Sequence, residues 1–483
     1  YLVNPDWEKT FSVRENGRIY SFTGENACDE DIIYGGLAVQ KLDSDTLTAV
    51  PQGGATLAGA EIQVINASER PVIINGVSYA VGDVVTTIIT NDQGLAETAA
   101  GFLPYGSYEL VEIKAPRGYG INLDWHPTVE IRDSSQVLLD GDLALIDDVA
   151  RGDIYFIKVD GTNMERLQNI PFRITSKSTG ESHIAVTDAN GVFSSAALDK
   201  TADTNGNDAA VTGDSVDESM LDSSYGIWFY GMNAGAAPRN EKGAFPYDTY
   251  VFQELRTSAN SIYEMVSFEV EITLDGQNIN VGTVDDNPLP NITTEMLDHD
   301  TNDHIAAVGN VILDDRINYY ALRIDKAYEI TGTLVDQGTG EPITSNGNPV
   351  TATTGVFQPS SADGVTMLTY TLDASELEGR TVVSVVALLE NNAQVYSCDD
   401  LNNEDETIHF PSIRTTAHGE NGEKEFSAGS NILVIDTVSY SNLLPGTTYT
   451  VRGELVDAST DRAPIDTEGN AVAIIAETVF RAE

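Results

Sequence analysis

The chain has 483 residues, too many for one ordinary core and enough for three or four domains of about 100–150 residues. Twenty-six basic residues against 75 acidic ones leave a net charge of −49, which argues against nucleic acid or an anionic lipid surface as a partner, since both require Lys/Arg clusters. The chain is 41% hydrophobic, so acidity does not imply disorder. Cys28 and Cys398 form neither a disulfide framework nor a zinc spacing, and they are expected to be free or paired with parts outside this segment rather than bonded to each other. No metal and no cofactor is expected, and no apolar run is long enough to span a bilayer.

In chain order, residues 1–34 resemble the stretch after "APRGY" near Tyr119, so they are expected to be the C-terminal remnant of a preceding domain. Residues 35–151 open with "GGLAVQKLD" and continue through the alternating runs "EIQVINAS" and "SYELVEI", which read as strands. Residues 152–288 repeat the pattern. "GDIYFIKVD" matches the first strand, "LQNIPFRITS" matches "LAGAEIQVIN", "TDANGVFSS" matches "TNDQGLAET", and "FPYDTYVFQEL" matches "LPYGSYELVEI". Four blocks in one order indicate a duplicated domain. The second copy carries an insertion, 198–243, rich in Asp, Asn, Gly, Ser and Ala. It reads as a surface excursion with some order near "YGIWFYGM", where a rival, adhesive reading takes Trp228, Phe229 and Tyr230 as an exposed aromatic patch.

Residues 289–411 and 412–483 belong to a second repeat type. "NVILDDRINYYALRIDKAYEITGTLVD" (310–336) matches 431–457 at a constant offset, superposing Asp315 on Asp436 and Tyr328 on Tyr449. The second copy stops partway, so the chain is expected to be a segment of a longer tandem array. The one helix expected is short, at 373–379 ("DASELEG"). Strands and turns at this spacing predict an all-β protein of immunoglobulin-like sandwiches in series.

The motifs "VQKLD … YELVEIKAPRGYG" and "FIKVDG … YVFQELR" resemble SpaA-type (Cna protein B-type, prealbumin-like) domains of Gram-positive surface adhesins and pilus subunits. The 289–483 region is similar to the VaFE repeats found downstream of such domains. The resemblance implies an elongated rod on the bacterial cell surface, cell-wall anchored in the full-length protein. Its partners would be the neighbouring domains of the same chain and a host-surface or glycan ligand held elsewhere. It also implies a self-formed Lys–Asn or Lys–Asp isopeptide bond in each domain, assisted by a buried Glu. The chemistry suits those residue types. A Lys sealed in an apolar sandwich has a lowered pKa and becomes nucleophilic, while a neighbouring buried carboxyl is held protonated and can relay protons. The candidate lysines are Lys41 and Lys158, and the assisting acids are Glu112 and Glu254. The acceptors are Asp147 (or Asp148) and Asp286 (or Asp285), so condensation would release water.

For the 289–411 domain the resemblance implies an ester from a first-strand Thr to a last-strand Gln. Thr294 and Glu390 are the candidate nucleophile and acid, but Glu406 stands where the Gln is expected and Cys398 near the expected His. Ordinary packing is the expectation there. Asp203, Asn205, Asn207 and Asp214, and Asp298, Asp300, Asn302 and Asp303, approach calcium-loop spacing without its Gly and closing Glu, and read as hydrated loops. Two rival readings are an adhesive module using the insertion and, less favoured, an extracellular carbohydrate-active enzyme using an acid pair. The expectation is no enzyme beyond self-crosslinking.

Overall fold

The computed structural model describes residues 1–231, 236–425, 427 and 432–483; residues 232–235 of the insertion, and Asn431 at the start of the second long repeat, lie outside the described residues. The chain divides into two compact units, Tyr1–Pro288 and Leu289–Glu483. The described residues are almost entirely strand and turn, and no helix among them is long and apolar enough to cross a membrane.

The first unit holds two sandwiches built to one plan. In the first, β1 (Tyr34–Asp43), β2 (Glu61–Asn66), β3 (Gly106–Lys114) and β4 (Leu145–Asp147) are the strands that matter most. β1 runs parallel to β4, with Lys41 opposite Leu145 and Asp43 opposite Asp147. β2 and β3 pair antiparallel in the facing sheet. In the second, β5 (Arg151–Asp160), β6 (Pro171–Ser176), β7 (Asp248–Glu254) and β8 (Gln277–Asp286) take the same places. β5 runs parallel to β8, with Lys158 opposite Val284 and Asp160 opposite Asp286. Each sandwich closes over its own apolar core, Leu37, Val39 and Leu110 in one and Phe156, Phe172 and Phe252 in the other. Before β1 the regular structure is one 3-10 turn, Gly24–Asn26.

The second unit starts with β9 (Asn291–Asp298), β10 (Asn310–Tyr320), β11 (Tyr328–Asp336), β12 (Gly364–Asp373), β13 (Thr381–Glu390) and β14 (Thr407–His409). β9, β10 and β12 form one sheet, and β11, β13 and β14 belong to the other. Further on, Ser412–His418 pairs with Ile435–Ser441 in the register that β9 makes with β10. Thr294 opposes Ile317, and Thr415 opposes Val438.

Two expectations fail. The helix at 373–379 does not form: Asp373 ends β12, its side chain accepts from the Ser375 amide and hydroxyl, and two turns come next. Seven residues are too few to offset helix nucleation, whereas those turns bury Ala374 and Leu377. Nor is there an exposed aromatic patch in the insertion. Trp228 and Phe229 are both 0% exposed and Tyr230 is half-buried, because Phe229 packs on Phe245 and Tyr250 inside the second sandwich.

Candidate functional site

Strand alternation delivers charge to two dry interiors. In β1 the inward positions Leu37 and Val39 are followed by Lys41, and in β3 Tyr108 and Leu110 are followed by Glu112. In β4, Leu145 is followed two residues on by Asp147. The three polar side chains meet between the sheets, each 0% exposed, with the Lys41 ammonium in contact with Asp147 Oδ2 and 3.8 Å from Glu112 Oε1. Lys41 Nζ, Glu112 Oε1 and both Asp147 oxygens find no hydrogen-bond partner outside this trio among the described residues. Glu112 Oε2 accepts from the Asn122 amide at 2.9 Å, and the Tyr119 ring lies 5.8 Å from the ammonium.

Burial dominates the titration of the trio. It lowers Lys41 below the usual lysine range, and it raises Glu112, helped by the Asp147 charge, to about 7. Asp147 is raised for the same reason, with the Lys41 charge opposing. The site therefore favours a neutral amine facing neutral acids, which is what amide condensation requires.

The second sandwich repeats the arrangement. Lys158 Nζ contacts Asp286 Oδ1 and lies 3.2 Å from Glu254 Oε2, again with all three side chains fully buried. Burial raises Asp286 to about 7. Asn260 Nδ2 donates to Glu254 Oε1 at 2.7 Å, and the Val266 amide to Oε2 at 3.2 Å. The alternative acceptors point outward: Asp148 is exposed and pairs with Ser44 and Lys242, and Asp285 is exposed. Sequence reading missed a partner common to both sites. The Asp of each Lys-x-Asp strand end accepts a tyrosine hydroxyl, Tyr119 on Asp43 at 2.8 Å and Tyr263 on Asp160 at 2.6 Å. The recurring Lys-x-Asp spacing was the available signal.

In the 290–410 region Thr294, on β9, donates its hydroxyl to Glu406 Oε1, with Glu406 itself buried. Glu390 is not part of this site: at the far end of β13 it pairs with Lys326. The acid beside Glu406 is Asp315 on β10, whose Oδ2 accepts from Ser384 Oγ at 2.7 Å, and Ser384 Oγ lies 2.8 Å from the Tyr370 hydroxyl. Burial lifts Asp315 to about 7, with the Glu406 charge adding to the rise, and burial also raises Glu406. Cys398 is half-buried beside them, and desolvation pushes its thiol up to about 12, so it is no general base. Asp315 was visible in the sequence only as a repeat position shared with Asp436.

The calcium-like runs serve as turns. Asp298 Oδ1 caps the amides of Asp300 and Thr301, and among the described residues no cluster of His, Cys, Asp or Glu is arranged to hold a metal.

Residues 36–141 match the SpaA family, a prealbumin-like fold domain, and residues 290–410 and 411–482 match the T-Q ester bond containing domain. The chain thus carries a prealbumin-like SpaA domain and two regions of the T-Q ester type, the latter covering the stretch that resembles VaFE repeats. Neither is an enzyme family. Among solved structures the chain is similar to the Bacillus anthracis TIE protein, at 18% identity over 74% of this chain and 45% of that one, with a TM-score of 0.31. It is similar to a streptococcal ancillary pilin at 18% identity over 54% of this chain and 63% of that one, TM-score 0.20. The major pilin subunit of Bacillus cereus aligns at 16% identity over 69% of this chain and 96% of that one, TM-score 0.29. The chain therefore spans less than two thirds of the first two. Likeness at this level carries no argument about activity. No curated protein matches the chain.

Proposed function

We infer that this chain is a stalk segment of a bacterial cell-surface adhesin or fibre, held by self-formed Lys41–Asp147 and Lys158–Asp286 isopeptide bonds. Its units would be 35–151 and 152–288, then 289–411 and 412–483, with 1–34 belonging to a preceding domain. The observation that carries this reading is the pair of equivalent, fully buried Lys–Asp–Glu trios.

In each trio the neutral lysine Nζ attacks the aspartic acid Cγ. The new C–N bond forms as the C–OH bond breaks. The nearby glutamic acid gives a proton to the departing hydroxyl and recovers one from the nitrogen, so the balance is amine plus acid to amide plus water. Glu112 near 7 can act in both directions close to neutral pH. The bond joins the first and last strands of its sandwich, so pulling on the chain cannot peel those strands apart. Resistance to force and protease then no longer rests on the marginal stability of an ordinary fold. The net charge of −49 keeps such stalks soluble and apart.

Intact-mass measurement of Lys41→Ala and Lys158→Ala beside the parent chain tests this reading. Each variant should lose one bond, so its shortfall from the mass of its own sequence should be one water smaller than the parent's. A parent chain at its plain sequence mass rejects the bonds.

A further inference from the structure

The 198–243 insertion buries Trp228 and Phe229 where an exposed aromatic patch was expected. Among its described residues, Val211, Val216 and Leu221 pack on Ile184, Val186 and Leu255 of the second sandwich while Gly231, Arg239 and Lys242 reach the first, and two side-chain amides tie its backbone together. Asn205 gives Nδ2 to the Trp228 carbonyl at 2.9 Å and takes the Trp228 amide on Oδ1 at 2.9 Å. Asn207 makes the same two-bond grip on Asp222. These grips satisfy backbone that a polar, Gly-rich stretch would otherwise leave to water.

At the centre is Arg151, the first residue of β5 and therefore the joint between the domains. It is 0% exposed, with its guanidinium carbon 3.9 Å from the Trp228 ring centroid. It donates to the Phe229, Gly243 and Ala244 carbonyls on the insertion side, and to Gln52 Oε1 at 2.8 Å on the first domain. Gln52, also 0% exposed, donates onward to Asp43 and Asp45. Arg239 of the insertion contacts Asp45, and Lys242 lies 3.3 Å from Asp148. Two glycines permit the approach. A Cβ on Gly231 (φ +66°) would fall 2.9 Å from Gln52 Cβ, and one on Gly53 (φ +57°) would fall 2.6 Å from the Tyr247 carbonyl oxygen.

We propose that the insertion is an interdomain clamp. Its partner is the preceding domain of the same chain, engaged at the Asp43–Asp45–Gln52 loop, and its role is to fix the two sandwiches as one body. A buried guanidinium that donates to three carbonyls and an amide oxygen, lies against an aromatic face and sets its Nε 3.7 Å from Asp45 Oδ2 keeps all of these neighbours only when both domains are docked. Undocking strands it, and that is costly.

Hydrogen exchange on the full chain tests the clamp. Arg239→Ala, a half-exposed side chain outside both cores, should speed exchange at least tenfold at 52–55 in the first domain. Gln52→Ala should do the same at 227–231 and 243–247 in the second. β2, β3, β6 and β7 should stay protected in both. Acceleration confined to the substituted side in both variants overturns the proposal, whether or not any isopeptide bond forms.

Discussion

The Lys41 and Lys158 clusters and the Thr294–Glu406 pair share a plan: a nucleophile on one strand, an acyl group on another, and a second acid beside them, all sealed from water. They differ in charge. Each lysine site sets an amine against two buried acids, so condensing the amine with one of them would leave an uncharged amide in the core. Among the described residues the threonine site has no cation beside its acids. Burial raises both of its acids, Asp315 and Glu406, so each holds its proton to higher pH than a solvated carboxylate, and Thr294 donates its hydroxyl to Glu406. On the proposed reading a lysine makes a sealed acid pair a reaction site, whereas threonine with Glu in place of Gln leaves a hydrogen-bonded, packed one.

The largest expected effect comes from breaking the first half of that comparison. On the proposed reading Lys158→Ala removes the closure of a loop of more than 100 residues and leaves Asp286 as a free buried acid beside Glu254. By analogy with a disulfide of that span it should cost about 5 kcal/mol in denaturant unfolding. A loss under about 1 kcal/mol would mean the site is an ordinary ion pair.

Next is pH. Asp315, ordinarily near 3.8, is held near 7 in the folded domain. Between those values the folded state keeps a proton that the unfolded chain releases. Stability of the second unit should therefore be full below the lower value and fall as pH rises through the upper one, by up to about 1.4 kcal/mol per pH unit. Asp315→Asn should flatten that slope. Stability that rises over the same window would contradict the protonated pair.

The smallest effect belongs to Glu390→Ala. Its partner Lys326 is partly exposed, so the loss should be under about 1 kcal/mol, with the Asp315-dependent pH profile unchanged. A shifted profile would return Glu390 to the threonine site.

Much of this was legible because strands have period two. Lys41 two residues after Val39, and Glu112 two after Leu110, are charges written on an apolar face, and the duplicated blocks put the same residues in the second domain. The same rule separates Asp147 from Asp148, since Leu145 already marks the inward face. Glu390 suggests itself as a site acid only through its place at the end of "VVALLE". The residue lies far along β13 from Val383, the position facing Thr407, roughly 23 Å at the usual rise per residue. The insertion is illegible for a different reason. Its composition is that of a loop, and nothing local announces that the Asn205 and Asn207 side chains will bind the backbone of Trp228 and Asp222 or that Trp228 will find an arginine from the domain joint.

The intact mass of the folded parent chain tests the crosslinks most directly. It should fall short of the 483-residue sequence by two waters, one from each lysine site and none from Thr294–Glu406. A mass equal to the plain sequence would contradict the crosslinks, and a third missing water that vanishes in Thr294→Ala would contradict the distinction between the two kinds of site.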